Sequence, residues 1–570
     1  MGVSAAIFES AGKRTEHYVP GVYSRSNNVT SPSGVSAGNL CILGSSAGGK
    51  PWSLLEFGSV ADAQTVLGSG ELLNAVAYAF NGSNDYVPQR VFAMRVNDGT
   101  QASLTLQNGG TDVLTLKAWD WSAMTNQLRM KIEAGTAANS KKVTVAYKDD
   151  VVVVDNIVKP SLQILGTCTN PTVTVTNTGI TLAGEDDDSQ PVSETINFES
   201  FPTINEIVER INDTDYFTAT AIDADESALG ANLDALTATD ISTAVTLYSN
   251  ALAFKKAVEG IEYIGSAEFV GTTKVVPENI TFTYFTGGAS ASANITGWRT
   301  ALANLEVEDI QIIATPSTDS DAQTLIANHC TTMSSTVNRK ERTCILGAAL
   351  NETDDDAIAK AVGFNNKLVT YVVDTVTTAN PLSGAVESIN GAMLGCALAG
   401  MESAMAVNQP LTNKTIKVLG FAKKRTITNM EKLIKAGVLV CNPSPDNMTN
   451  YVVIRALTTY QSDDLINNEM SMVREDLYMN RDLRNRFGSS IGQPNNIPTS
   501  SILATLNDAA KEWADAGYIV PSDNNENVWN KSVRVNGDKI YITYSRYLTA
   551  PTNFIFITAT NHIYTSTVEV

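Results

Sequence analysis

Cysteine and histidine are both scarce in this chain of 570 residues, and their scarcity removes several kinds of chemistry at once. The six cysteines, Cys41, Cys168, Cys330, Cys344, Cys396 and Cys441, are scattered without a C-x-x-C pair, so neither a zinc site nor a disulfide framework is indicated. They read as buried free thiols of a protein made in a reducing cytoplasm. The three histidines, His17, His329 and His562, fall in an arm, a helix and the terminal strand, and none has a motif partner nearby that would make a hydrolytic site. Positive charge is short as well: Lys and Arg total 40 against 60 Asp and Glu, a formal net charge of −20. That balance argues against nucleic acid or an anionic membrane as the main partner. Long hydrophobic runs are missing too. The most apolar stretch, residues 389–407, contains Glu402 and many Gly and Ala residues, so it reads as a packed helix and not as a membrane span. The first residues lack the basic and apolar blocks of a signal peptide, and Ala6 stands where a myristoylation signal after Gly2 needs Ser or Thr.

What is present is an ordinary hydrophobic content of 43% and a length that suggests three or four domains. The end of the chain, residues 531–570, reads almost throughout as β-strand. Residues 533–535 and 540–544 face each other across Asn536-Gly537, with Asp538 closing the turn. Residues 553–558 are apolar on both faces, and residues 563–570 form a last strand that only Glu569 blunts. An unpaired edge is a template for another chain, so this strand pairs with an earlier part of its own chain or is added to a neighbour's sheet. Residues 1–38, rich in Ser, Asn, Gly and Pro, read as an extended arm with one short apolar piece, Tyr18-Val19-Pro20-Gly21-Val22-Tyr23.

Between these ends an α/β layer begins with a buried strand at Leu40–Gly44, a helix at Glu71–Phe80 and a strand at residues 90–96. Short strands follow from residue 102 to 147, then a helix capped by Thr203-x-x-Glu206 with Ile204, Ile207, Val208 and Ile211 inward, and a strand at residues 216–222. This reads as an inserted domain with a largely β core. Between Glu185 and Asp240 there are fifteen acidic residues against Arg210 alone, so most of the net charge sits there. Consecutive carboxylates at Glu185-Asp186-Asp187-Asp188 cannot all face one calcium ion, and a solvated acidic loop is the better reading. Helix and strand then alternate from Trp298 onward, which suggests a partly parallel sheet completing the layer begun at Leu40. Residues 465–487 read as one long helix and residues 501–516 as another.

The sharpest enzyme signal is Gly44-Ser45-Ser46-Ala47-Gly48-Gly49-Lys50, which has P-loop spacing after a strand. The next residue, Pro51, supplies neither the hydroxyl that would hold Mg²⁺ nor an N–H, so a glycine turn leaving a sheet is preferred to nucleotide binding. A basic run, with Lys414, Lys417, Lys423, Lys424, Arg425, Lys432 and Lys435 against Glu431 alone, is a solvated face or a patch that docks on an acidic neighbour.

The order of segments resembles the tail sheath proteins of contractile-tailed bacteriophages. The resemblance is carried by Pro20-Gly21-Val22-Tyr23, the strand ending Leu43-Gly44, Gly49-Lys50-Pro51, Phe57-Gly58, residues 72–80 and 91–96, Phe285-Thr286-Gly287-Gly288, the helix from Trp298, Ile427-Thr428-Asn429 through Gly437-Val438, Arg481-Asp482-Leu483-Arg484, Ile491-Gly492 and Asn495. Residues 102–284 match only loosely. The resemblance implies an α+β multidomain fold: an α/β-layered sheath core with an inserted mostly β domain and extended N- and C-terminal arms. The domains it implies are an arm over residues 1–26, a middle α/β domain of 27–101 with 285–380, an acidic, outward-facing insertion over 102–284, a C-terminal sheath domain over 381–552 and a strand arm over 553–570. It further implies a structural protein, not an enzyme, that needs no cofactor. Such subunits polymerise as stacked hexameric rings around a tail tube, meet baseplate and tail terminator proteins, and contract to drive the tube through the host envelope. They touch no nucleic acid directly, insert in no membrane, assemble in the host cytoplasm and end in the virion tail. Strand exchange between subunits would use Tyr18, Val19, Val22, Tyr23, Ile563, Thr565, Thr567 and Val568. For contact with tube or neighbour, the resemblance indicates the C-terminal domain and charge indicates Lys423, Lys424, Arg425, Arg481, Arg484 and Arg486. The alternatives are the sheath of a phage-derived injection device and, more distantly, a nucleotide-binding α/β enzyme.

Overall fold

An apolar run with no polar break, Leu40–Gly44 (β1), is buried on both faces, as the central strand of a layered sheet must be. The computed structural model describes residues 6–10, 13–17, 38–223, 225–444, 447–494 and 497–562, in two units divided between Ser36 and Ala37. In the first unit, Ala6–Ser10 pairs antiparallel with Lys13–His17. The early part of the expected arm is therefore a hairpin: β-prone Ile7-Phe8 and Thr15 flank Ala11-Gly12, a sequence suited to a turn.

In the second unit, β1 belongs to an eight-stranded sheet with β2 (Leu54–Phe57), β3 (Val91–Arg95), β4 (Ile312–Ala314), β5 (Thr343–Gly347), β6 (Val369–Val372), β7 (Val438–Pro443) and β8 (Tyr451–Arg455). The order is β8-β7-β6-β5-β4-β1-β3-β2. The six inner strands are parallel, and β2 and β8 close the edges antiparallel. The partly parallel sheet expected from the alternation is thus present. Leu40 and Ile42 face one core, with helices Glu71–Phe80 and Gly391–Ala404; Cys41 and Leu43 face the other, with helices Ile295–Leu305, Ser320–Met333 and Ile427–Lys435. Helix Gly391–Ala404 is the apolar stretch noted above, and its small residues let it press on its neighbour: a Cβ on Gly400 would come within 2.1 Å of the Ala79 carbonyl oxygen. Among the described residues no helix is long and apolar enough to cross a membrane.

The sheet runs past the expected boundary at 380/381, because β7 pairs with β6 (Tyr371↔Val438) and β8 with β7. Only from helix Met470–Gly488 onward does the chain build a separate small core, of Met479, Leu506, Trp513, Ile519 and Val528. The helix expected over 465–487 is broken at Glu469, which is extended (φ −84°, ψ 123°) and bridges to Leu457 while its buried carboxylate pairs with Arg455 at 2.8 Å. Tertiary pairing overrides helical periodicity there.

The insertion is two lobes, one nested in the other. Strands Ser103–Asn108, Thr111–Ala118, Arg129–Ala134, Lys141–Tyr147, Asp150–Ile157, Ile264–Phe269 and Ile280–Tyr284, with helix Asn250–Glu259, enclose Leu116, Met130, Phe254 and Phe285. Within them, residues 160–248 form seven strands and helix Ile204–Asn212 around Leu162, Val173, Ile207 and Phe217. The capping box expected at Thr203 and Glu206 is made in both directions, at 2.9 and 3.3 Å. The acidic stretch from Glu185 to Asp240 lies in this inner lobe.

One buried charge gives the C-terminal unit a pH dependence. Glu475, wholly buried in helix Met470–Gly488, is pushed up to about 8 by burial, against the pull of the Thr549 amide, Arg474 and Arg546. Its folded form therefore holds a proton that the unfolded chain, near 4.5, gives up earlier. The resulting stability is complete below pH 4.5 and is lost as pH rises through about 8. Relative to Glu475→Gln, wild-type unfolding free energy measured in denaturant should fall by roughly 3 to 5 kcal/mol over that window. Superimposable pH profiles for the two proteins would show that the carboxyl ionises normally.

Candidate assembly surfaces

Surfaces that can join copies of a chain are unpaired strand edges, exposed apolar segments and uncompensated charge, and each is found by following the main chain outward from a core. The C-terminal core is held by Trp513, whose Nε1 donates to Asp482 at 2.8 Å, and by Arg546, which lies 5.5 Å from the Trp513 ring and donates to Asp476 at 2.8 Å. Against it stands the hairpin of β9 (Trp529–Asn536) and β10 (Lys539–Ser545), with Val535 opposite Ile540. The two-residue turn is Gly537-Asp538, one position later than expected, and only Gly537 takes a positive φ (62°). Among the described residues β9 and β10 pair only with each other, so both outer edges are open.

After the hairpin, Tyr547–Leu548 pairs with Ile519–Val520, and the Thr549 hydroxyl donates to the Gly517 carbonyl at 2.7 Å. Asn553 donates to Glu469 at 2.9 Å, and the Arg455 guanidinium lies 5.7 Å from the Phe554 ring. Beyond that point no described residue covers the chain: Phe554, Ile555, Phe556 and Ile557 are 67, 78, 92 and 87% exposed. The strand expected at residues 553–558 joins no ladder, because no described strand of the same chain reaches it. Tyr18, Val19, Val22, Tyr23, Ile563, Thr565, Thr567 and Val568 lie outside the described residues.

The six basic residues singled out by charge fall into two separate groups, and most are engaged within the chain. Arg425 is buried, with its guanidinium on Asp374 and, at 2.9 Å, on Asp354. Lys423 meets the same Asp354 at 2.7 Å, while Lys424 is exposed. Burial opposes the charge of Asp354, yet Arg425 and Lys423 hold its carboxyl below the usual range. In the second group, Arg484 donates to Glu341 at 2.5 Å, Arg481 to the Glu341 carbonyl at 3.1 Å, and Arg486 to Asp482 at 2.9 Å and to Glu512. Of the six, Arg425 is thus an internal tie and not a surface charge. One of its partners, Asp354, belongs to the acidic helix start Asp354-Asp355-Asp356, and Arg486 lies four residues from Asp482 on one helix, whereas the buried partner Asp374 carries no local sign.

The residues that suggested catalysis are occupied. In the loop after β1, the Ser46 amide donates to Asn97 at 3.0 Å and the Gly49 amide to Asp120 at 2.7 Å, so the N–H groups a phosphate would need are taken. His329 is held near pKa 4 by burial and by Arg342, whose guanidinium donates to its Nε2 at 2.6 Å. Asp186, in the acidic run, accepts from the amides of Asp188 and Gln190 at 2.9 and 2.8 Å, which makes it the turn of a hairpin. Among the described residues no group of three His, Cys, Asp or Glu is placed to hold a metal ion.

Arg425 and Lys424, adjacent members of the first group, predict opposite mutant behaviour. Arg425→Ala strands Asp374 inside the protein and should lower unfolding free energy by about 3 to 5 kcal/mol. Lys424→Glu should leave stability within about 0.5 kcal/mol of wild type. Equal denaturation midpoints for the two variants would contradict the internal role of Arg425.

No family model matches the chain. It is 26% identical over 489 residues to a putative tail sheath protein of Enterococcus phage phiEF24C, covering 81% of this chain and 83% of that one. It is 24% identical to the tail sheath protein of Bacillus phage SP01, covering 96 and 95%. Its fold is similar to that of a sheath tail protein from Listeria innocua (TM-score 0.54, 13% identity, 90 and 95% coverage) and of one from Desulfitobacterium hafniense (TM-score 0.51, 14% identity, 93 and 100% coverage). By sequence over most of its length, and by fold, the chain is similar to the phage tail sheath proteins.

Proposed function

We propose that this protein is the structural subunit of a contractile phage tail sheath, polymerising around a tail tube and contracting to drive the tube through the host envelope. The observation that carries the reading is the sequence relationship to phage tail sheath proteins along nearly the whole chain. That the relatives come from phages favours a virion tail over a free-standing injection device. The chemistry is mechanical: no residue set that would bind a fuel is required, and the energy lies in two packings of the same subunits separated by a barrier.

In the finer reading, subunits form stacked hexameric rings linked by their ends, assembled in the host cytoplasm and bounded by baseplate and terminator proteins. Two features support end exchange. The open edges of β9 and β10 can each accept a strand, and the bare segment from Phe554 to Ile557 has no cover among the described residues of its own chain. Residues 563–570 and the segment bearing Tyr18, Val19, Val22 and Tyr23 are the donors in this account. The acidic inner lobe faces outward, because a surface of that charge packs poorly against copies of itself. Lys424 and the outer faces of Lys423, Arg481, Arg484 and Arg486 remain candidates for contact with the tube or a neighbour.

Removing residues 553–570 should leave a folded, soluble monomer and abolish polymers seen by electron microscopy. Each main-chain hydrogen bond contributes about 0.5 to 1.5 kcal/mol net, so a strand making roughly four gives a few kcal/mol per link, repeated around every ring. A proline at Thr565 or Thr567 deletes one N–H and should impair assembly most where that N–H faces the partner. A truncated chain that unfolds as a monomer would place the strand in its own subunit.

A further inference from the structure

The loop Gly44-Ser45-Ser46-Ala47-Gly48-Gly49-Lys50 leaves the C-terminal end of β1, next to β4, where the strand order reverses. In open α/β sheets that crevice is where ligands bind, and glycine-rich backbone there presents amides to anions. An anion is present, and it is part of the chain. We propose that this loop is a carboxylate receptor whose ligand is the side chain of Asp120, and that the pair fastens the inserted lobes to the sheet.

Asp120 lies in the outer lobe, between strand Thr111–Ala118 and the short helical turn Ala123–Gln127. It is 7% exposed, and one of its oxygens accepts the Gly49 amide at 2.7 Å. Its other oxygen is buried and accepts no hydrogen bond among the described residues; it lies so close to the loop that a Cβ on Gly48 would come within 2.9 Å of it. Gly49 has φ 88°, so glycine is needed here both for conformation and for approach. Beneath the loop Arg95 is wholly buried, and its donors go to carbonyl oxygens on three segments: Gly49 at 2.9 Å in the loop, Asn97 and Asp98 at 3.0 and 2.8 Å in the outgoing connector, and Trp121 at 2.8 Å in the lobe. A guanidinium satisfied only by neutral carbonyls needs a counter-charge, and Asp120 is one of the two carboxylates that stabilise it, Asp98 being the other. Asn97 completes the arrangement by accepting the Ser46 amide at 3.0 Å and donating to the Ala291 carbonyl, in the returning connector, at 2.9 Å. Loop, outgoing connector and lobe thus meet at one buried carboxylate and one buried guanidinium, and Asn97 ties the returning connector to them.

This account is independent of the sheath reading. Its test is chemical rescue in the full chain. Asp120→Ala empties a space the size of a carboxylate, and proteolysis within the connectors, residues 96–101 and 285–291, should become about tenfold faster or more. Sodium formate should restore protection in that variant and leave wild type unchanged, while sodium chloride at equal ionic strength should not restore it. Asp120→Asn keeps an acceptor without the charge, and should be cleaved at an intermediate rate and ignore formate. Wild-type resistance in Asp120→Ala, equal effects of formate and chloride, or wild-type resistance in Asp120→Asn would each overturn the proposal. If Asp120→Ala does not fold in chloride, the yield of soluble chain on refolding in formate against chloride gives the same two answers.

Discussion

The ladder between β1 and β4 is the constraint on which the rest of the fold depends. It pairs Leu40 with Ile312, and beside it the Asn39 amide donates to the Gln311 side chain across 272 residues. Every strand of the eight-stranded sheet that follows β4 adds to one side of that ladder, and β2 and β3 lie on the other. The insertion must therefore return the chain to its starting point, and the short pairing of Gly99–Thr100 with Ala289–Ser290 brings the connectors together. Contacts so distant in sequence form slowly. A lobe that folds on its own core and delivers both connectors side by side shortens the effective loop that the sheet has to close.

How much of this was legible in the sequence follows from how local each signal is. β1 was readable as an unbroken apolar run ending at Gly44, helix Glu71–Phe80 as a 3.6-residue stripe and the cap at Thr203 as a four-residue motif. The nesting of the lobes was not, because strand pairing is non-local: Thr169–Val175 reads as a weak strand broken by Asn and Pro, and nothing in it names Leu236–Asp240 as a partner. Helix Asn250–Glu259 gave no start signal: the hydroxyl of its N-cap Ser249 is bonded to that of Ser161 at 2.8 Å and makes no capping bond. The break at Glu469 and the inward turn of Arg425 share a cause, since both are decided by a buried partner far away in sequence. Asp120 carried no local sign at all, being 71 residues from the loop it fills. The chain end was read as strand from its composition, and that property describes what the segment can join, not what it joins in one molecule.

Charge is distributed by function of place. Basic side chains near the sheet and the C-terminal helices are largely spent on internal ties, to Asp354, Asp374, Glu341, Asp482 and Glu512. The acidic excess lies on one lobe, with Arg210 and Glu194 at 3.0 Å and Lys159 and Asp223 at 2.8 Å as partial compensation. Like-charged lobes of this kind repel one another at distances up to a Debye length, about 8 to 10 Å in physiological salt.

Helix Gly391–Ala404 and helix Glu71–Phe80 meet backbone against backbone, Gly400 on Ala79, with a side-chain layer missing between them. Two surfaces in such contact have no intermediate position: a slide of one residue drives a main chain into a Cβ, and a separation leaves a void that nothing fills. The central body is therefore stiff to shear. A load applied at one edge of the sheet reaches the other with little taken up in between.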